Sequence, residues 1–157
     1  MNNIDDRIKL ALYLMICIFA IVTYGTFRCK TPGFIDPCTK SIVGDNYMNR
    51  YIDGWGLLHF WFFAMLCYLY PKYWKWLVIA GIIWEIIEMI FKEHPFYLAD
   101  CHVDIETDKE GWWYGRWEDI IMNSFGMVCG LFLLNRRVPF YIFPMGFAAI
   151  LILQFSL

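Results

Sequence analysis

The stretch 81-GIIWEIIEMIFKEH-94 decides how the chain is read. It is apolar enough for a membrane-spanning helix, yet Glu85 and Glu88 sit inside it one turn apart. A carboxylate at the centre of a bilayer helix costs roughly 2.5–3.5 kcal/mol on insertion scales, so two in one turn require a purpose. The composition around them favours the membrane over a soluble core. Of 157 residues, 60% are hydrophobic, 20% aromatic and only 18% charged, and the mean hydropathy is +0.47. Such a chain is expected to be an integral membrane protein. A net charge of −2 with no Lys/Arg run excludes electrostatic capture of nucleic acid.

Outward from that stretch, five segments approach the roughly 20 apolar residues that a helix needs to cross a bilayer. They are 8–27, 55–70, 74–91, 117–134 and 138–157. Their apolar runs are continuous, which predicts helices in place of an alternating β-barrel pattern. The expected fold is therefore all-α, a polytopic helical membrane protein with about five transmembrane helices in a single membrane domain, 1–157. The first segment is read as an uncleaved anchor, because its apolar run exceeds the usual signal core and 23-TYG-25 is a poor cleavage site. Tight basic turns, PKYWK and NRRVP, alternate with long connectors, 28–54 and 92–116. Positive-inside reasoning places the N-terminus and the tight turns in the cytoplasm, with the long connectors on the other side.

Cys17, Cys67 and Cys129 fall within spans, where cysteine is a packing residue. Cys29, Cys38 and Cys101 lie in the connectors. Cys29 and Cys38 are placed to pair if that face is oxidising, but an odd third cysteine prevents a disulfide framework.

The helical rise brings the intramembrane polar residues to one depth. Glu85 and Glu88 lie one to two turns below the long-connector end of the third span; His59 on the second and Asp119 and Asn123 on the fourth lie at the same depth, with Glu118 nearer the surface. Asp119 and Asn123 share a face at i,i+4, and Gly126 and Gly130 continue that stripe in the small-xxx-small manner. Three helices thus contribute to one polar pocket. Carboxylates with an amide oxygen suit a hard divalent cation, Ca²⁺ or Mg²⁺, better than zinc, held by Glu85, Glu88 and Asp119. A histidine beside them has the chemistry of a general base or nucleophile in phosphoryl transfer.

The order of these motifs is similar to a known pattern. His59, then WEIIE from Trp84, HPFYLADC from His94, the Trp112–Trp113 pair and EDIIMNSFGMVCG from Glu118 resemble, over roughly residues 53–130, the core of phosphatidylserine synthases of the base-exchange type. That family shows W-E-x-x-E, P-N-F-x-E-C, W-W-D and D-x-x-x-x-N-x-x-G-x-x-x-G in this order. Here Phe96, Asp100 and Tyr114 stand at three of its polar loop positions, and about ten residues are inserted before Trp112. The family acid five residues before the asparagine falls on Glu118; Asp119 stands at four. The resemblance implies Ca²⁺-dependent replacement of a choline or ethanolamine headgroup by serine, with membrane phospholipid and serine as partners. It implies catalytic roles for His59, Glu85, Glu88, Asp119 and Asn123, and substrate contacts from Asp100 and Glu118. The expected membrane is the endoplasmic reticulum if the source is eukaryotic or viral, and the inner membrane if it is bacterial. Histidine, glutamate and D-x-x-x-N-x-x-G, here Asp119, Asn123 and Gly126, also resemble small VanZ-like membrane proteins, which implies cation or lipid binding without catalysis.

Overall fold

The computed structural model describes residues 3–31, 36–39, 41–43, 52–93 and 115–156. Five α-helices dominate them: α1 (Asn3–Lys30), α2 (Gly54–Leu69), α3 (Trp74–Glu93), α4 (Trp117–Asn135) and α5 (Ile142–Ser156). Each coincides with one of the five apolar segments. Two of them, α1 over Asp5–Arg28 and α4, are long and apolar enough to cross a membrane by length and composition. The helices α2 and α5 are apolar but shorter, 16 and 15 residues. A feature absent from the sequence reading is a two-stranded antiparallel ladder, β1 (Ser41–Val43) with β2 (Ile52–Asp53), preceded by a 3-10 turn at Pro37–Thr39.

The chain divides into two compact units, 1–34 with 87–114 and 35–86 with 115–157. In the first, α1 is a long helix with exposed Ile8, Leu12, Met15, Ile16 and Phe19. Its two threonine hydroxyls are satisfied inside the helix: Thr23 and Thr26 donate to the carbonyls of Phe19 and Val22, each at 2.8 Å. Lys9 and Asp5 pair at 2.8 Å on the polar first turns.

The second unit is built on α2. Asp53 caps this helix, its Oδ1 accepting from the Gly56 N–H at 2.8 Å, and Pro71 forces the chain into a 3-10 turn after Tyr70. Helix α4 runs parallel to α2. A Cβ at Gly126 would stand 2.1 Å from the Phe60 carbonyl oxygen and one at Gly130 would stand 2.1 Å from that of Ala64, so glycine alone permits this approach. Helix α5 runs antiparallel on another side, where the Trp61 indole donates to Phe143 O at 2.7 Å and the Tyr68 hydroxyl donates to Val138 O at 2.6 Å. Trp61 lies against Gly146, and Phe143 is fully buried between Trp61 and Tyr68. The first turns of α3 return antiparallel to α2, with Gly81 against Phe63.

Large apolar side chains lie outside as well as in the core, where Phe63, Leu66, Leu77, Met127 and Phe143 are buried. Phe125, Val128, Ile152 and Phe155 point outward, 62–72% exposed, while Glu85, Asp119, Asn123 and Gln154 are buried. The tight turns at 71–73 and 136–141 lie at one end of α2, and the polar residues gather toward the other, as the span register predicts.

Candidate functional site

Toward its N-terminal end α2 supplies His59, α3 supplies Glu85 and α4 supplies Asp119 and Asn123. Glu85 is fully buried, Asn123 and Asp119 nearly so, and the His59 side chain is 17% exposed. His59 Nδ1 lies 3.1 Å from Glu85 Oε1, and the Asn123 amide donates to the same oxygen at 3.2 Å. One ligating atom from each of His59, Glu85 and Asp119 lies within 4.8 Å of the other two. Of the residues that the sequence places at one depth on three helices, the structure brings four together, His59, Glu85, Asp119 and Asn123; Glu88 is not in this group.

The two acids at the start of α4 separate. Asp119 joins the cluster, and its Oδ1 would meet a Cβ on Gly56 at 3.3 Å. Glu118, one residue earlier on the helix, turns toward Arg116, whose Nη2 is 3.5 Å from its Oε1. Glu88 lies a turn beyond Glu85 on α3, half-buried, and is counted with the first unit. Asp100 lies outside the described residues. Cys38 is a buried free thiol.

Several residues beside the cluster were missed in the sequence. Asp53 uses one carboxylate oxygen to cap α2 and the other to accept from Arg116 Nη1 at 3.2 Å, with both side chains nearly buried. Its Oδ1 stands beside the same Gly56 that Asp119 approaches. Asp36 accepts from the Cys38 N–H and from the Trp55 indole, each at 2.9 Å. The signals for Asp53 were its place immediately before Gly-Trp-Gly and the apolar run, a helix N-cap position, and for Arg116 its place ahead of two acids. Neither signal suggests that the two residues would meet.

Whether this donor set fits a cation can be judged from its unsatisfied atoms. Glu85 Oε2 and Asn123 Oδ1 are buried and accept no hydrogen bond from any described residue. Both are acceptors, so a positively charged species, and not a further acceptor, would complete them. Two carboxylates and an amide oxygen fit Ca²⁺ or Mg²⁺, and the His59 nitrogen extends the fit to Mn²⁺ and Zn²⁺. Compared with protein-family models, curated proteins and solved structures, the chain matches none.

Proposed function

We propose that this chain is an integral membrane protein that exchanges phospholipid headgroups at the His59–Glu85–Asp119–Asn123 cluster, replacing choline or ethanolamine with serine. The observation that carries the site is the convergence of a histidine and two carboxylates from three helices inside an apolar exterior. The reaction itself comes from the resemblance of 53–130 to base-exchange phosphatidylserine synthases.

The Glu85 carboxylate, whose Oε1 lies 3.1 Å from His59 Nδ1, stabilises the positive charge that the imidazole gains when it takes up a proton. His59 would take the serine hydroxyl proton as the serine oxygen bonds to phosphorus. The bond from phosphorus to the choline or ethanolamine oxygen breaks, and His59 returns the proton to that leaving oxygen. The Asn123 amide, donating to Glu85 Oε1, holds that carboxylate beside the imidazole. A divalent cation held by Glu85, Asp119 and Asn123 would supply charge neutralisation for the phosphate oxygens.

The decisive assay incubates the purified chain in phosphatidylcholine or phosphatidylethanolamine vesicles with labelled serine and Ca²⁺. Labelled phosphatidylserine is expected, and His59→Ala should abolish it while the protein stays folded. One observation favours a second reading, a VanZ-like protein that binds a cation or lipid without exchange. The acid in the cluster is Asp119, four residues before Asn123, which is the VanZ-like spacing; the synthase spacing would use Glu118. No exchange with any amino alcohol, together with a cation-dependent rise in thermal stability that Glu85→Gln removes, would select that reading.

A further inference from the structure

The cluster is bracketed along the two helices that carry most of it. On α4 the order is Arg116, Asp119, Asn123, Gly126, Gly130, and along the parallel α2 it is Asp53, Gly56, His59, Phe60, Ala64. On one side of the cluster Gly126 and Gly130 press on the Phe60 and Ala64 carbonyls. On the other, Arg116 Nη1 lies 3.2 Å from Asp53 Oδ2, with both side chains nearly buried. The glycine contacts are undirected and let the two helices splay about them as a pivot. A charge-assisted hydrogen bond at the far end opposes that motion.

The residue that makes this bond is disfavoured where it stands. Arg116 is the N-cap of α4, with extended backbone (φ −135°, ψ 143°) and no capping hydrogen bond from its side chain. That position favours Ser, Thr, Asp or Asn, and a cation there opposes the helix dipole. A nearly buried ion pair is also a poor source of stability, because desolvation offsets much of its attraction. What the pair supplies is geometry. The Asp119 N–H donates to Arg116 O at 3.1 Å, so Arg116 anchors the turn that carries Asp119. Asp53 caps α2 through the Gly56 N–H, and a Cβ on that glycine would meet Asp119 Oδ1 at 3.3 Å and Asp53 Oδ1 at 3.5 Å.

We infer that Arg116 is a positioning residue: by holding Asp53 it closes the cluster end of the α2–α4 pair and fixes the Asp119 carboxylate relative to His59. The inference rests on the proposed reading of the cluster as a cation site, and it assigns Arg116 no contact with cation or substrate.

The test titrates Ca²⁺ into the full chain in neutral detergent and reads the thermal midpoint; the nitrogen NMR signals of the His59 imidazole are recorded separately without cation. The double variant Asp53→Asn with Arg116→Met removes the ion pair, leaves the net charge unchanged and keeps a capping side chain on α2. It should raise the Ca²⁺ concentration for half-maximal stabilisation about tenfold and shift the His59 signals. An unchanged Ca²⁺ response or unchanged His59 signals, whatever the thermal midpoint, marks a purely structural pair and overturns the inference. The single variants separate position from charge. Both should weaken the Ca²⁺ response, whereas a charge effect makes Arg116→Met tighten it and Asp53→Asn weaken it; opposite signs overturn the inference. Where a single variant leaves its partner's charge buried and does not fold, the double variant decides. A wild-type chain without a Ca²⁺ response defeats the cation reading instead. The His59 signals then decide alone: shifted in the double variant they support the positioning role, and unshifted they overturn it.

Discussion

Replacing Gly126 by alanine tests whether the spacing of α2 and α4 sets the site. The added Cβ would lie 2.1 Å from Phe60 O and 2.9 Å from Phe60 C, both backbone atoms that cannot swing away. An ordinary carbon–oxygen contact needs about 3.3 Å, so the helices must part by about 1.2 Å at this level. His59 immediately precedes Phe60, and Asn123 lies one turn before Gly126, so the separation falls on the cluster itself. Overpacking of this kind costs about 1–3 kcal/mol, while a displacement of about 1 Å in a reacting group costs up to about 100-fold in rate. Gly126→Ala is therefore expected to keep its helical circular dichroism, lose a few degrees of thermal stability and lose most of the proposed exchange activity or of the proposed cation-induced stabilisation. Gly146→Ala is the control. Its Cβ meets the Trp61 indole on the α5 side, so it should lower stability while leaving the cation response intact. A folded Gly126→Ala protein with the wild-type cation response and activity would refute the idea that helix spacing holds the site.

Three further outcomes follow from buried groups. Gln154 is fully buried, and both its amide atoms lack a partner among the described residues, so Gln154→Leu should raise stability by about 1–3 kcal/mol in chemical denaturation; a loss would mean that the amide is bonded. Asp53→Ala removes both a helix cap and the partner of a nearly buried arginine, and should cost about 3–5 kcal/mol, with Asp53→Asn recovering the cap but not the ion pair. Burial first, then the neighbouring charges of Asp36 and Asp53, push the Cys38 thiol up from 9.0 to about 12. Because the folded value is the higher one, this group's contribution to stability is complete below about pH 9 and lost as pH rises toward 12. Cys38 should therefore resist iodoacetamide at pH 8 until the chain is unfolded, and Cys38→Ala should flatten the alkaline loss of stability.

The helices were legible because their apolar runs are long and continuous, with Pro71 marking the end of α2, whereas the last apolar segment runs from 138, before Pro139, and α5 starts at Ile142. The depth of His59, Glu85 and Asn123 followed from helical rise alone, since each is a fixed number of turns from a recognisable end. Long-range pairing was not legible. Nothing local in the sequence says that Asp53 would reach Arg116, 63 residues away, or that the Gln154 side chain would cover the Cα of Gly54. The β1–β2 ladder escaped notice because three- and two-residue strands leave no periodic trace.

The choice between Glu118 and Asp119 shows where spacing arguments stop. Adjacent helical residues differ by about 100° in direction, so only one of the two can share a face with Asn123. Asp119 lies at i−4 from Asn123 and joins it on the inward face, whereas Glu118, at i−5, is rotated toward Arg116. Motif spacing alone treats both as candidates; the glycine seam decides. With Gly126 and Gly130 pressed on Phe60 and Ala64, the rotation of α4 about its axis is fixed. The same face, continued two turns back, must carry residue 119 toward His59. A substitution that let α4 rotate would exchange one acid for the other, and for that reason the seam and the site form a single structural unit.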